Sequence, residues 1–93
     1  MKILGQMVGM SWRHTTDLVS ALPTGEPLIL VRDPDNEHDG NAVQVWHGDT
    51  HIAFIKREEV RDIARHMDSK RAVKMPARLV FISRQAHAEV EMP

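Results

Sequence analysis

The sequence predicts a mainly β fold: a small, highly curved sheet or barrel of six short strands, with two short helices at the connections. Three observations carry that expectation. Apolar and polar residues alternate over several short stretches, Gly, Pro, Asn and Asp fall between those stretches, and only two segments have the i, i+3, i+4 spacing of a helix. At 93 residues, 42% apolar and 27% charged, the chain is sized for a single domain over 1–93 with one small core. Cysteine is absent, so neither disulfides nor thiolate zinc sites support it. The aromatics are Trp12, Trp46, Phe54 and Phe81, which leaves the core to Val, Ile, Leu, Met and Ala.

The elements follow in order. Ile3 to Met10 is strand-like, with Leu4, Gln6, Val8 and Met10 on one face and Ile3, Gly5, Met7 and Gly9 on the other. Gly5 and Gly9 suggest bending or close backbone approach. Thr15 or Thr16 caps a short helix to Leu22, with Leu18 and Leu22 turned inward, and Pro23 and Gly25 stop it. Leu28 to Val31 is a continuous apolar run and reads as a strand buried on both faces. Ala42 to Trp46 and Ile52 to Ile55 form a hairpin about Gly48-Asp49, a two-residue loop that pairs His47 with Thr50 and Trp46 with His51. Arg57 to about Met67 is the second helix, its stripe made by Val60, Ile63, Ala64 and Met67. Ala72 to Ser83 and Ala86 to Glu91 close the sheet, with Pro76 at a break, a bulge or an edge.

No P-loop, GxSxG or HExxH is present, so nothing points to an enzyme or to a cofactor. His47 and His51 have metal-like spacing only on a helix, and the hairpin removes it. The acidic run Asp33, Asp35, Glu37, Asp39 before Gly40 fails as a calcium loop, because the position requiring a bidentate carboxylate is Trp46. It reads instead as a solvated turn in which Asp33, Asn36 and Asp39 bond local amides. The N-terminal run is neither a secretory signal nor a membrane span, and a cytoplasmic location is expected.

The net charge of -1 conceals a division. Residues 1–51 hold 3 basic and 7 acidic groups, whereas 52–93 hold 9 basic and 6 acidic. Lys56, Arg57, Arg61 and the basic residues after them form either a phosphate-binding surface or a merely solvated face. Trp12, beside Arg13 and His14, is either a packing residue or an indole free to stack on a nucleobase.

The stretch VRDPDNEHDGNAVQVW, followed by HIAFIKREEVRDIARHMD, resembles the HIRAN domain. Arg32, Asp33, Pro34, Asn36, His38, Asp39, Asn41, Ala42 and Val43 fit its motif in order, and the likeness runs, with Val8-Gly9, up to residue 68. The resemblance implies an OB-like or SH3-like barrel that binds single-stranded DNA and captures its 3′-hydroxyl end. It implies that Asp39 accepts the hydroxyl, that His38 takes the motif's aromatic position, and that Trp12 stacks on a base with Arg13 beside it. Phe54 stands where well-understood members have His, Lys56 and Arg57 match their basic pair, and Arg61 adds positive charge. Asp33, Asn36 and Asn41 structure the loop. Ser11 replaces an Arg and His38 a Tyr of those members.

The reading is thus a non-enzymatic module for single-stranded DNA in repair or fork processing, with a helicase or nuclease as partner and no membrane association. The competing reading is a protein-interaction or structural barrel in which Trp12 is buried. A metal-dependent nuclease stands third, since the acidic loop lacks a second converging carboxylate set.

Overall fold

The computed structural model describes residues 1–91. Six strands are β1 (Lys2–Val8), β2 (Pro27–Arg32), β3 (Val43–His47), β4 (Thr50–Ile55), β5 (Lys74–Ile82) and β6 (Gln85–Glu91). They close into an antiparallel barrel in the order β1-β4-β3-β2-β5-β6. Three helices rather than two decorate it: α1 (Met10–Arg13), α2 (Thr16–Ser20) and α3 (Val60–Ser69).

The expected alternation places the core. In β1, Gly5 and Met7 face inward, and in β3 Val43 and Val45 do so. Helix α3 lays Val60, Ile63, Ala64 and Met67 against the barrel, as their spacing requires. It begins at Val60, because residues 57–59 form a turn, and runs to Ser69 before Arg71 takes a positive φ of 54°. Gly5 permits the close seating of this helix: a Cβ there would lie 2.8 Å from Ile55 Cγ2 and from Ile63 Cδ1. The hairpin β3–β4 has the expected register, Trp46 opposite His51 and His47 opposite Thr50.

Three expectations need correction. The first strand ends at Val8, since Gly9 at φ 84° turns the chain into α1, and Trp12 lies on that short helix and not at a strand end. Of the two leucines expected inward, Leu22 packs against the core just past the end of α2, whereas Leu18 is 38% exposed and Val19 is the buried residue of the helix. A five-residue helix is anchored by one side chain, and the chain enters it through buried Thr15. Strand β2 is not buried on both faces: Leu28 and Leu30 point into the barrel and Ile29 is exposed, because a barrel has one interior. Of the break, bulge or edge expected at Pro76, the structure shows the edge. It pairs with Ile29 of β2 and lies beyond the last β5–β6 pair, Arg78 with Glu89, where a missing N–H costs that ladder nothing.

Candidate nucleic-acid interface

One open cleft of about 410 Å³ lies where α1, the loop 33–42 and β4 meet. Trp12, Arg13, His38, Asp39, Phe54 and Arg57 line it, together with Asn36. Six of the eight residues expected to contact DNA therefore converge, although they come from four separate parts of the chain. Lys56 and Arg61 lie outside the lining, Arg61 on the exposed side of α3.

The loop is built by its own side chains. Asn36 Oδ1 accepts the N–H groups of His38 at 2.9 Å and Asp39 at 3.2 Å. Asn36 Nδ2 donates to Asp33 Oδ2 at 3.1 Å, and Gln44 Nε2 donates to the same oxygen at 3.2 Å. Asp39 Oδ1 accepts the Asn41 N–H at 2.9 Å, and among the described residues Oδ2 has no protein partner. Asn41 serves through its backbone; its side chain is exposed. Arg32 anchors the loop's base: Nε and Nη2 grip both carboxylate oxygens of Asp68 at 2.9 and 3.2 Å, and Nη1 donates to the Ala42 carbonyl at 3.1 Å.

The other wall depends on an irregularity in β4. The pairing passes from Trp46–His51 to Val45–Ala53, so Ile52 is an extra residue, and Ile52 and Ala53 are both fully buried. A regular strand would send His51 and Phe54 to opposite faces. The bulge returns them to one face, with ring centroids 4.8 Å apart in an edge-on contact. His51 also stacks on Trp46 at 5.3 Å and 11°. The bulge's carbonyls then position α1: Arg13 Nε donates to His51 O at 2.9 Å and buried Thr15 Oγ1 to Ile52 O at 2.6 Å. Substituting Thr15→Val, which keeps the shape and removes this donor, is expected to destabilise the protein by about 1–3 kcal/mol. Chemical denaturation of the variant beside the parent measures it.

Burial and then the neighbouring Arg13 charge hold the His51 pKa below its ordinary value, against smaller opposing effects of the Ala53 carbonyl and Asp33. The imidazole is thus harder to protonate in the folded protein than in the unfolded chain. The unfolded state binds more protons as pH falls below about 6.5, so this group's contribution to stability is intact above that pH and lost below it. In His51→Phe the melting temperature should fall less than in the parent between pH 7 and pH 5. An equal fall in both proteins would assign the acid sensitivity elsewhere.

Sequence reasoning missed Gln44, His51 and Arg32, which support the cleft from outside its lining, and the ring contact that carries His51 on to Trp46. The pairing of Trp46 with His51 was readable from the two-residue turn; the bulge that connects them to Phe54 has no glycine or other local marker. The model of the HIRAN domain matches residues 3–91, almost the entire chain. This chain belongs to the HIRAN domain family. That family is known as a DNA-binding module, and no catalytic family is indicated. Two solved structures have the same fold as this HIRAN domain. A protein from Lactobacillus plantarum is 20% identical over 98% of each chain, with a TM-score of 0.64. The HIRAN domain of human HLTF is 23% identical over 97% of this chain and 76% of its own, with a TM-score of 0.58. No curated protein matches the chain. Among the described residues of this HIRAN domain, no helix is long and apolar enough to cross a membrane.

Proposed function

We propose that this HIRAN domain binds single-stranded DNA in the cytoplasm and takes the 3′-hydroxyl end into the cleft. The observation that carries the reading is the convergence there of a 77% exposed indole, two guanidinium groups and a carboxylate with one unpartnered oxygen. Trp12 stacks on a base, Phe54 supports the terminal nucleotide with His38 beside it, and Arg13 and Arg57 draw the phosphates. Asp39 Oδ2 accepts a hydrogen bond from the hydroxyl. A carboxylate in that place repels a phosphate, so an internal or 3′-phosphorylated position is disfavoured while a free hydroxyl is welcomed. Lys56 and Arg61, outside the cleft, add to the attraction for the incoming strand.

The domain has no motor or cleavage chemistry in this reading, and a helicase or nuclease partner supplies it in repair or fork processing. The alternative of a purely structural barrel requires Trp12 to be buried, and its exposure favours binding. Fluorescence anisotropy with matched 3′-hydroxyl and 3′-phosphate oligonucleotides, at two salt concentrations, tests the proposal. The hydroxyl form should bind more tightly, and both should weaken with salt. Equal affinities would remove end capture, and absence of binding would remove DNA.

A further inference from the structure

We infer that the DNA strand leaves the cleft across the outer face of the β3–β4 hairpin, over Phe54, His51 and Trp46, into a second groove that holds the nucleotides 5′ to the captured end. This inference rests on the proposed function, because a strand whose 3′ terminus sits at Asp39 must run away from it in the 5′ direction. Three observations select the route. The ring contacts of 4.8 and 5.3 Å make a half-buried aromatic surface continuous with the cleft through Phe54, which lines it. Trp46 also lines an open groove of about 440 Å³ floored by Ile29, Val31, Met75 and Pro76, so the two depressions are joined by the rings between them. Exposed Lys74 stands at that groove as a cation for phosphate, with Asp49 as its one carboxylate.

The Trp46 ring is prepared for contact. Its Nε1–H donates to Gln44 Oε1 at 2.8 Å, so the indole's polar atom is already satisfied, and Gln44 is held in turn by Asp33. What remains to offer a ligand is the π face turned away from His51, which suits any base and requires no sequence. Ile29, 39% exposed between its cross-strand neighbours Trp46 and Pro76, adds apolar surface to the same groove. A course over α3, past Arg61 and Arg65, offers cations and the imidazole of His66 but no Trp or Phe.

The test compares a 3′-hydroxyl dinucleotide, confined to the cleft, with an octanucleotide that reaches the second groove. The octanucleotide should bind more tightly to the parent. Trp46→Ala should lose about tenfold of its octanucleotide affinity with little change for the dinucleotide. Trp46→Phe should retain most of it, and Lys74→Gln should flatten the salt dependence of the longer ligand alone. In a Trp12→Phe background, where Trp46 is the sole tryptophan, saturation with the octanucleotide should quench fluorescence and the dinucleotide should not. Equal affinities for the two lengths, a Trp46→Ala loss shared by both, or a length-dependent gain abolished by Arg61→Gln in place of Trp46→Ala would each overturn this route while leaving end capture standing. Failure of the parent to bind either oligonucleotide would defeat the underlying reading and the route together.

Discussion

Trp12→Ala should lower affinity for a 3′-hydroxyl single strand by about fivefold to a hundredfold, the cost of one lost base stack of about 1–3 kcal/mol. The melting temperature should stay within about 4 °C, because an exposed side chain outside any packed feature contributes within about 0.5 kcal/mol. The two halves of the expectation have separate physical origins. Helix α1 buries none of its residues. It is fixed by Arg13 and the adjoining Thr15, which reach the carbonyls of the β4 bulge, so removing the indole leaves the scaffold in place. Trp12→Phe, which keeps a smaller π face, should recover part of the affinity. Titration and thermal denaturation of the same preparations distinguish the outcomes: a large fall in melting temperature would make Trp12 a packing residue and end its assignment as a platform.

Much of the barrel was legible because strand periodicity survives closure. Val43, Val45, Leu28 and Leu30 are inward for the same reason in a sheet or a barrel, and the α3 stripe depends only on helical spacing. Two of the failures are local and share a cause: they occur where too few residues are involved for a period to show. Helix α1 is four residues long and is set by the left-handed turn at Gly9, and the β4 bulge is a single added residue. The Leu28 to Val31 run misled for a different reason, since Ile29 is apolar yet exposed, and composition cannot tell a buried position from an outward one. In the site, the loop was readable because Asn36, His38, Asp39 and Asn41 lie within one short turn and bond one another's backbone. Arg57 and Phe54 enter the same cleft only through the closing of β1 against β4, where Val8 pairs with Phe54. The net charge shows the same limitation: a value near zero describes the whole chain, whereas the cleft brings Arg13 and Arg57 together with Asp39.

Gly5→Ala should cost about 1–3 kcal/mol, a fall in melting temperature of roughly 5–20 °C, through overpacking of the barrel interior. The new methyl carbon would approach Ile55 Cγ2 and Ile63 Cδ1 to 2.8 Å, and both isoleucines are buried in the core. Ile63 Cδ1 ends a side chain that can rotate, but Ile55 Cγ2 is attached to the branch point of a β4 residue paired with Met7, so strand and helix must separate slightly. This permits a sharper test than the single variant. Ile63→Val deletes the Cδ1 atom and alone should cost about 0.5–1.5 kcal/mol as a cavity. Combined with Gly5→Ala, it removes one of the two obstructing atoms while the added methyl fills part of that cavity, so the double variant should be more stable than the sum of the single losses predicts. The rescue should be partial, because the Ile55 contact persists. Strict additivity in a denaturation cycle would mean that α3 does not seat its Ile63 against the β1 backbone at Gly5, and the barrel would then owe its closure at that end to the β1–β4 pairing alone.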